Sequence, residues 1–214
     1  MTPIFVTGIG TDVGKTIASS VLVSALDADY WKPVQAGSLE NTDRDFVKEH
    51  VTSDGQCFYE VYNLKMPASP HIAARSEGIS IDLNKIVDYY QDIKKNSPLS
   101  KYLIIEGAGG IYVPLNDNEF VIGLIKRLNA KVVLVSRNYL GSINHSLLTA
   151  AICKANKIDV LGWIFNGDYL EYENEIAGWT GYPIIGKIAQ LEKITKKTIY
   201  YQSVLIKKRL FELL

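Results

Sequence analysis

The sequence predicts an α/β fold: a mostly parallel central sheet with helices on both faces. Two observations carry this. Short β-branched runs alternate with longer helical stretches, the pattern left by βαβ units. The runs Tyr102-Leu103-Ile104-Ile105 and Val132-Val133-Leu134-Val135 are apolar throughout, as strands covered on both faces must be. Size agrees, since 214 residues that are 47% apolar can build a core without disulfide or metal staples. No repeat, low-complexity stretch or linker interrupts the chain, so one domain is expected over residues 1–214.

Taken in order, residues 4–7 form a first strand, followed by a Gly-rich turn and a helix from Gly14 to Leu26. A second strand spans residues 29–34, with Pro33 marking its end because proline cannot donate a ladder hydrogen bond. Thr42-Asp43-Arg44-Asp45 opens a helix through Phe46, Val47 and Val51: a hydroxyl cap with an acid three residues on. Residues 53–80 read as irregular. A helix capped by Asp82 runs from about Leu83 to Lys95 and stops near Asn96 and Pro98. Strands at 102–105, 132–135 and 160–165 follow, with a helix from Ile143 to Ala155 between the last two. A short strand at 183–186 and a tail helix from Ser203 to Leu214 complete the chain.

Lys plus Arg (23) balances Asp plus Glu (23), so the net charge is zero. That speaks against nucleic acid or an anionic membrane as partner. The start Met1-Thr2-Pro3-Ile4-Phe5-Val6 has neither a basic segment nor a long apolar one, and no stretch approaches the ~20 apolar residues of a membrane span. Cys57 and Cys153 lie far apart and read as free, inert thiols in a reducing compartment. A cytoplasmic protein is expected. His50, His71 and His145 are not spaced as a metal cluster, and His145 reads as a helix cap.

The strongest chemistry is Gly8-Ile9-Gly10-Thr11-Asp12-Val13-Gly14-Lys15-Thr16, between the first strand and the first helix. Small residues let backbone N–H groups turn onto an anion, and the helix N-terminus behind them favours negative charge. Lys15 would reach the β- and γ-phosphates and the Thr16 hydroxyl would ligate magnesium. Five residues rather than four separate Gly8 from Gly14, and Ile9 takes a usual glycine position. In the context strand–loop–helix this predicts nucleotide binding and a P-loop NTPase fold.

In open parallel sheets ligands bind beyond the carboxyl ends of the strands. The second strand delivers Lys32 there. The strand at 102–105 delivers Glu106, a candidate magnesium carboxylate, then Gly107-Ala108-Gly109-Gly110, whose small residues admit a ligand to the backbone. Asn166, after 160–165, can pair with a donor and an acceptor on a base edge. Asp43 is a second magnesium candidate.

These segments together resemble dethiobiotin synthetase. The likeness runs through the loop 8–16, Lys32-Pro33-Val34-Gln35-Ala36-Gly37 and Asn41-Thr42-Asp43. It continues through Ser69-Pro70-His71, Glu106-Gly107-Ala108-Gly109-Gly110, Leu140-Gly141-Ser142-Ile143-Asn144-His145 and Gly162-Trp163-Ile164-Phe165-Asn166. The resemblance implies closure of a cyclic urea from 7,8-diaminopelargonic acid, CO2 and ATP, through a carbamate and its mixed anhydride with phosphate. It implies that Thr16, Asp43 and Glu106 hold magnesium and that Lys15 and Lys32 are catalytic. ATP would lie against Asp12, Val13, Gly14, Lys15, Thr16, Ile17, Asp43, Glu106, Gly107, Ala108 and Gly109. Its base would meet Asn166, Gly167, Ala189, Gln190 and Leu191. Substrate would meet Lys32, Ala36, Gly110 and Asn144, the last at a helix N-terminus across a homodimer interface. Three departures stand out. Ala36 replaces a common hydroxyl residue, with Ser38 as its nearest substitute. Asp12 stands where glutamate is common, and Gly167 where an acid occurs.

Two other readings compete. Asn156-Lys157-Ile158-Asp159 matches a guanine-reading pattern, but it closes a helix ahead of a strand, where a polar turn is expected instead. A partition or positioning ATPase of the same superfamily would act as an assembly protein. Such proteins usually carry a second lysine near the loop's start, where this chain has Thr7-Gly8-Ile9-Gly10.

Overall fold

In the computed structural model, residues 1–37, 40–97 and 101–214 are described; Ser38 and Pro98, both named above, lie outside them. The chain begins with strand β1 (Thr2–Gly8), helix α1 (Lys15–Leu26), β2 (Asp29–Trp31), β3 (Val34–Ala36) and α2 (Asp43–His50). Then come β4 (Cys57–Phe58), β5 (Tyr62–Leu64), α3 (Pro70–Ser76), α4 (Leu83–Asn96), β6 (Tyr102–Gly110) and α5 (Val121–Leu128). The remainder is β7 (Lys131–Arg137), α6 (Ser142–Ala155), β8 (Val160–Asn166), α7 (Glu173–Thr180), β9 (Ile184–Ile188) and α8 (Lys196–Leu213).

Seven strands form one sheet in the order β4-β2-β6-β1-β7-β8-β9, every neighbouring pair parallel. Alternation along the strands divides the core in two. Phe5, Trp31, Leu103, Ile105, Val132, Leu134 and Trp163 face one layer, under α4, α5 and α6. Ile4, Val6, Tyr30, Ile104, Val133, Val135 and Ile164 face the other, under α1 and α8. The expected α/β architecture is thus the one observed, and the apolar runs are the strands buried on both faces.

Several elements differ from expectation. The second strand is two: Trp31 ends β2 in the main sheet, and Val34–Ala36 pairs with β5 in a separate parallel ribbon. Pro33 causes the break by lacking the N–H that a ladder needs. Its carbonyl still accepts from the N–H groups of Val61 and Tyr62 at 2.9 and 3.1 Å. Residues 53–80 are not irregular throughout, since they hold β4, β5 and α3. Those strands are two and three residues long, below the length at which periodicity speaks. Helices α5 and α7, eight residues each, were not anticipated. Helix α8 begins at a Thr195–Thr198 capping box rather than at Ser203. The Thr42–Asp45 capping box and the Asp82 cap are formed. His145 caps nothing by its side chain; it lies inside α6, 2.7 Å from the Tyr139 hydroxyl.

The Asn156–Asp159 segment is the turn between α6 and β8. Asn156 is the α6 C-cap and Lys157 takes φ 54°. It enters the amino end of β8, the opposite sheet edge from the phosphate loop.

Candidate active site

The loop after β1 is shaped by steric necessity at two glycines. At Gly8 a Cβ would lie 2.5 Å from Val13 Cγ2 and 2.8 Å from the Gly10 carbonyl. At Gly14, φ is +89° and a Cβ would lie 1.9 Å from Asn166 Nδ2. Gly14 is the N-cap of α1 and supplies no side-chain cap, so the first N–H groups of that helix remain open to an anion. Asp12 adopts φ 58° to complete the turn. Lys15 folds back across the loop and donates to the Gly10 carbonyl at 2.9 Å.

Beside this loop the structure gathers groups from four separated stretches of chain. The Thr16 hydroxyl lies 3.0 Å from Asp43 Oδ1 and 2.9 Å from Glu106 Oε1. Lys32 Nζ donates to Glu106 Oε1 at 3.1 Å and is paired with Asp43 Oδ2. The Tyr30 hydroxyl donates to Glu106 Oε2 at 2.9 Å. Helix α2 presents Asp43 at its first position, held by the Thr42 cap. Glu106 lies within β6 rather than after it, paired in register with Val6 of β1, and is 1% exposed.

Electrostatics follow from burial. Burial alone would lower the Lys32 pKa, but the Glu106 and Asp43 carboxylates outweigh it and hold it above the ordinary lysine value. Lys15 is lowered: burial dominates and the neighbouring Lys32 adds to it, against the pull of Glu106 and Asp43. Tyr30 is raised well above the usual phenol range by burial and by the Glu106 charge, so it stays a hydrogen-bond donor.

The donor chemistry fits a small hard cation. Thr16, Asp43 and Glu106 offer only oxygens, and two of the three residues are carboxylates. One hydroxyl carries one proton, so Thr16 can donate to only one of its two carboxylate neighbours at a time. The other contact sets lone pairs face to face, which a cation among the three oxygens would relieve.

The cleft above these groups has a volume of about 790 Å³. Asp12, Gly14, Lys15, Thr16, Ile17, Lys32, Ala36, Asp43, Glu106, Ala108 and Gly109 all line it. Val13 is buried behind the loop, and Gly107 is buried against Phe5, whose Cε1 a Cβ would meet at 2.6 Å. The packing of Phe5 therefore requires glycine at this position. Gly110 abuts the loop, where a Cβ would sit 3.2 Å from the Gly8 carbonyl. Ser69 and Pro70 wall the far side, while His71 turns away to Ser69 Oγ at 3.1 Å.

Asn166 ends β8 and donates to the Val13 carbonyl at 3.2 Å, placing its amide against the back of the phosphate loop. Gly167 N–H donates to the Ile188 carbonyl and Gln190 N–H to Asp168 Oδ2, so the loops after β8 and β9 are tied together. Ala189 and Gln190 are exposed there and Leu191 is half-buried. Asn144 stands apart: it is exposed on the first turn of α6, outside the cleft.

Sequence reasoning missed Tyr30, Gln35 and the Pro67–Ala68 wall. Tyr30 had a signal, since it sits two residues before Lys32 and so shares its side of an extended chain. Gln35 borders the cleft with its Oε1 buried and unpartnered among the described residues, while its Nε2 is pinned to the Gly37 carbonyl at 3.0 Å. Pro67 and Ala68 carry no chemistry that a sequence could advertise.

Comparison with known proteins adds the family. The AAA domain family model matches residues 2–198. A protein of Cytophaga hutchinsonii named ATP-dependent dethiobiotin synthetase BioD is 48% identical over 91% of this chain and 92% of its own length. One of the same name from Christiangramia forsetii is 41% identical over 98% of each chain. Among solved structures, the MinD cell division protein of Aquifex aeolicus superposes with a TM-score of 0.60 at 18% identity, covering 100% of this chain and 96% of that one. A ParA family ATPase of Chlorobium tepidum does so with a TM-score of 0.56 at 14% identity, covering 99% and 96%. At such identities these two speak for the fold alone.

Proposed function

The chain belongs to the AAA domain family and, within it, to the ATP-dependent dethiobiotin synthetases, and on that premise we propose how its cleft works. It is an ATP-dependent ligase of biotin biosynthesis. In the reading proposed, residues 1–214 act as one catalytic domain that closes a cyclic urea from 7,8-diaminopelargonic acid and CO2. An amine takes up CO2 as a carbamate, losing a proton. The carbamate oxygen attacks the γ-phosphorus of ATP and ADP leaves. The second amine then attacks the carbonyl carbon of the mixed anhydride, phosphate leaves, and the ring is closed.

The observation that supports this is the meeting of two buried ammonium groups with two carboxylates and a hydroxyl at the mouth of one phosphate loop. Phosphoryl transfer needs positioning and charge stabilisation more than covalent help. The open N–H groups of α1 and the Lys15 ammonium would take the β- and γ-phosphates. Lys32, held cationic by its two carboxylates, suits a carbamate anion and then the transferring phosphoryl group; with its pKa raised it cannot act as a base at neutral pH. Thr16, Asp43 and Glu106 would hold magnesium, which when bound neutralises phosphate charge. Asn166, Gly167 and residues 189–191 would form the base pocket, since Asn166 meets the phosphate loop at Val13 and the loops after β8 and β9 are tied together beside it.

Asn144 would receive the substrate's carboxylate across a homodimer. Its exposure on the first turn of α6 suits that role, because N-cap Gly141 leaves the first N–H groups of the helix without a side-chain cap. The exposed Leu140 and Leu148 on the same segment suit burial against a second copy. Among the described residues no helix is long and apolar enough to cross a membrane.

The test is ADP release from MgATP and bicarbonate, with and without 7,8-diaminopelargonic acid. Release that requires the diamine and yields the cyclic urea is the expected result. Hydrolysis indifferent to the diamine would overturn the reading.

A further inference from the structure

Glu106 reaches the cleft from inside a buried strand, so both of its carboxylate oxygens need partners. Oε1 faces Thr16 and Lys32. Among the described residues Oε2 is met by one side chain, the hydroxyl of Tyr30, at 2.9 Å and away from solvent. The sheet register explains the contact. Tyr30 of β2 is paired with Ile104 of β6, and Glu106 lies two residues further along the same face. Two residues of strand rise about 6.6 Å, which the length of a phenol ring with its hydroxyl can span. Tyr30 itself is fully buried in the α1 side of the core, so its ring cannot swing away without opening that layer.

We infer that Tyr30 is a positioning residue for the metal-binding carboxylate: its hydroxyl holds Glu106 Oε2 so that Oε1 is turned to Thr16 and the magnesium of the bound nucleotide. This rests on the assignment of Glu106 as a magnesium ligand made above. Tyr30 is fully buried and does not line the cleft. Removing its hydroxyl would leave a buried carboxylate oxygen without a donor and free the group to rotate about its last bond. Partners of this kind behind a metal ligand change metal affinity by roughly 10- to 100-fold.

The test is Tyr30→Phe, which keeps the ring and its packing. Manganese binding to the protein–ADP complex is measured by the paramagnetic signal of the free ion, beside ADP affinity in the absence of metal. The expected result is manganese affinity weakened about tenfold or more, with metal-free ADP affinity within twofold of the parent. In a Glu106→Gln background the same substitution should then change manganese affinity by less than twofold. Unchanged manganese affinity, or an equal loss in both backgrounds, overturns the proposal. So does a variant that fails to fold or loses metal-free ADP binding in step, because the hydroxyl would then be holding the fold. Since these titrations need no diamine, they are decided separately from the reaction; failure of the functional reading would show instead as diamine-independent ADP release by the parent.

Discussion

Lys32→Met is the perturbation whose consequences the geometry fixes most closely. Lys32 is 6% exposed and contacts Glu106, which is 1% exposed, and Asp43, whose side chain is 30% exposed. Methionine fills much the same volume and removes only the charge. Two carboxylates are then left on either side of the Thr16 hydroxyl without the ammonium group that bridges them. Breaking a buried ion pair costs about 3–5 kcal/mol. Asp43 keeps some water, so a loss near the lower end, ~3 kcal/mol, is expected for the protein without metal. Magnesium and ADP would restore positive charge beside those oxygens and narrow the gap. Urea denaturation of parent and variant, with and without MgADP, measures both quantities. Turnover in MgADP-competent protein should fall by roughly 10²–10³, the effect of deleting one donor from a charge-stabilising site, while metal affinity does not weaken. Two results would refute the reasoning: parent-like turnover, or the same destabilisation whether or not MgADP is present.

Gly14→Ala should weaken MgADP binding and lower stability by about 1–2 kcal/mol, the cost of a side chain in the left-handed region, with the clash against Asn166 Nδ2 added. Adding Asn166→Ala should recover the clash and leave the backbone cost; a titration showing no recovery would refute the contact. The thiols are pushed up by burial, Cys57 from 9.0 to about 11 and Cys153 to about 12. A pKa two units higher leaves about a hundredfold less Cys57 thiolate at pH 8, so native protein should react with a disulfide reagent far more slowly than urea-unfolded protein. Because the folded values are the higher ones, the thiols' contribution to stability is complete below pH 9. It is lost as pH rises toward 11–12, and a melting profile over that range checks the sign.

The long apolar runs and the phosphate loop were plain in the sequence because one physical requirement dominates each. A strand such as Val132–Val135 needs apolar side chains on both faces, and an anion-binding loop needs glycines before a Lys-Thr pair. The ligand edge followed from parallel topology: Lys32, Asp43 and Glu106 converge there with Thr16, and Asn166 meets the back of the phosphate loop. What escaped was fixed by tertiary partners. Residues 57–58 and 62–64 are strands only because β2 and β3 present edges to pair with. That Gly107 must also make room for Phe5 shows only once the two are packed together. Tyr30 reads as core, and it is core; its chemistry lies in one hydroxyl, which hydropathy cannot weigh. The Thr195–Thr198 cap was missed because threonine at the third helical position is a weaker signal than an acid.

The break at Pro33 ties fold to chemistry. A continuous second strand would pair its full length with β6 and carry the chain straight past the phosphate loop. With no proline N–H to give, the chain leaves the main sheet after Trp31 and re-forms as β3 against β5. Lys32 thus stands between two sheets, paired in neither, at the point where β2 ends beside Glu106. The same detour brings residues 67–70, which follow β5, across the cleft as its far wall. One residue that cannot donate a hydrogen bond therefore does two things at once. It delivers an ammonium group to the centre of the charge cluster, and it sends the chain outward to build the wall that faces that group. A change that let β2 run on, such as Pro33→Val, should harm catalysis through both effects while leaving the phosphate loop intact.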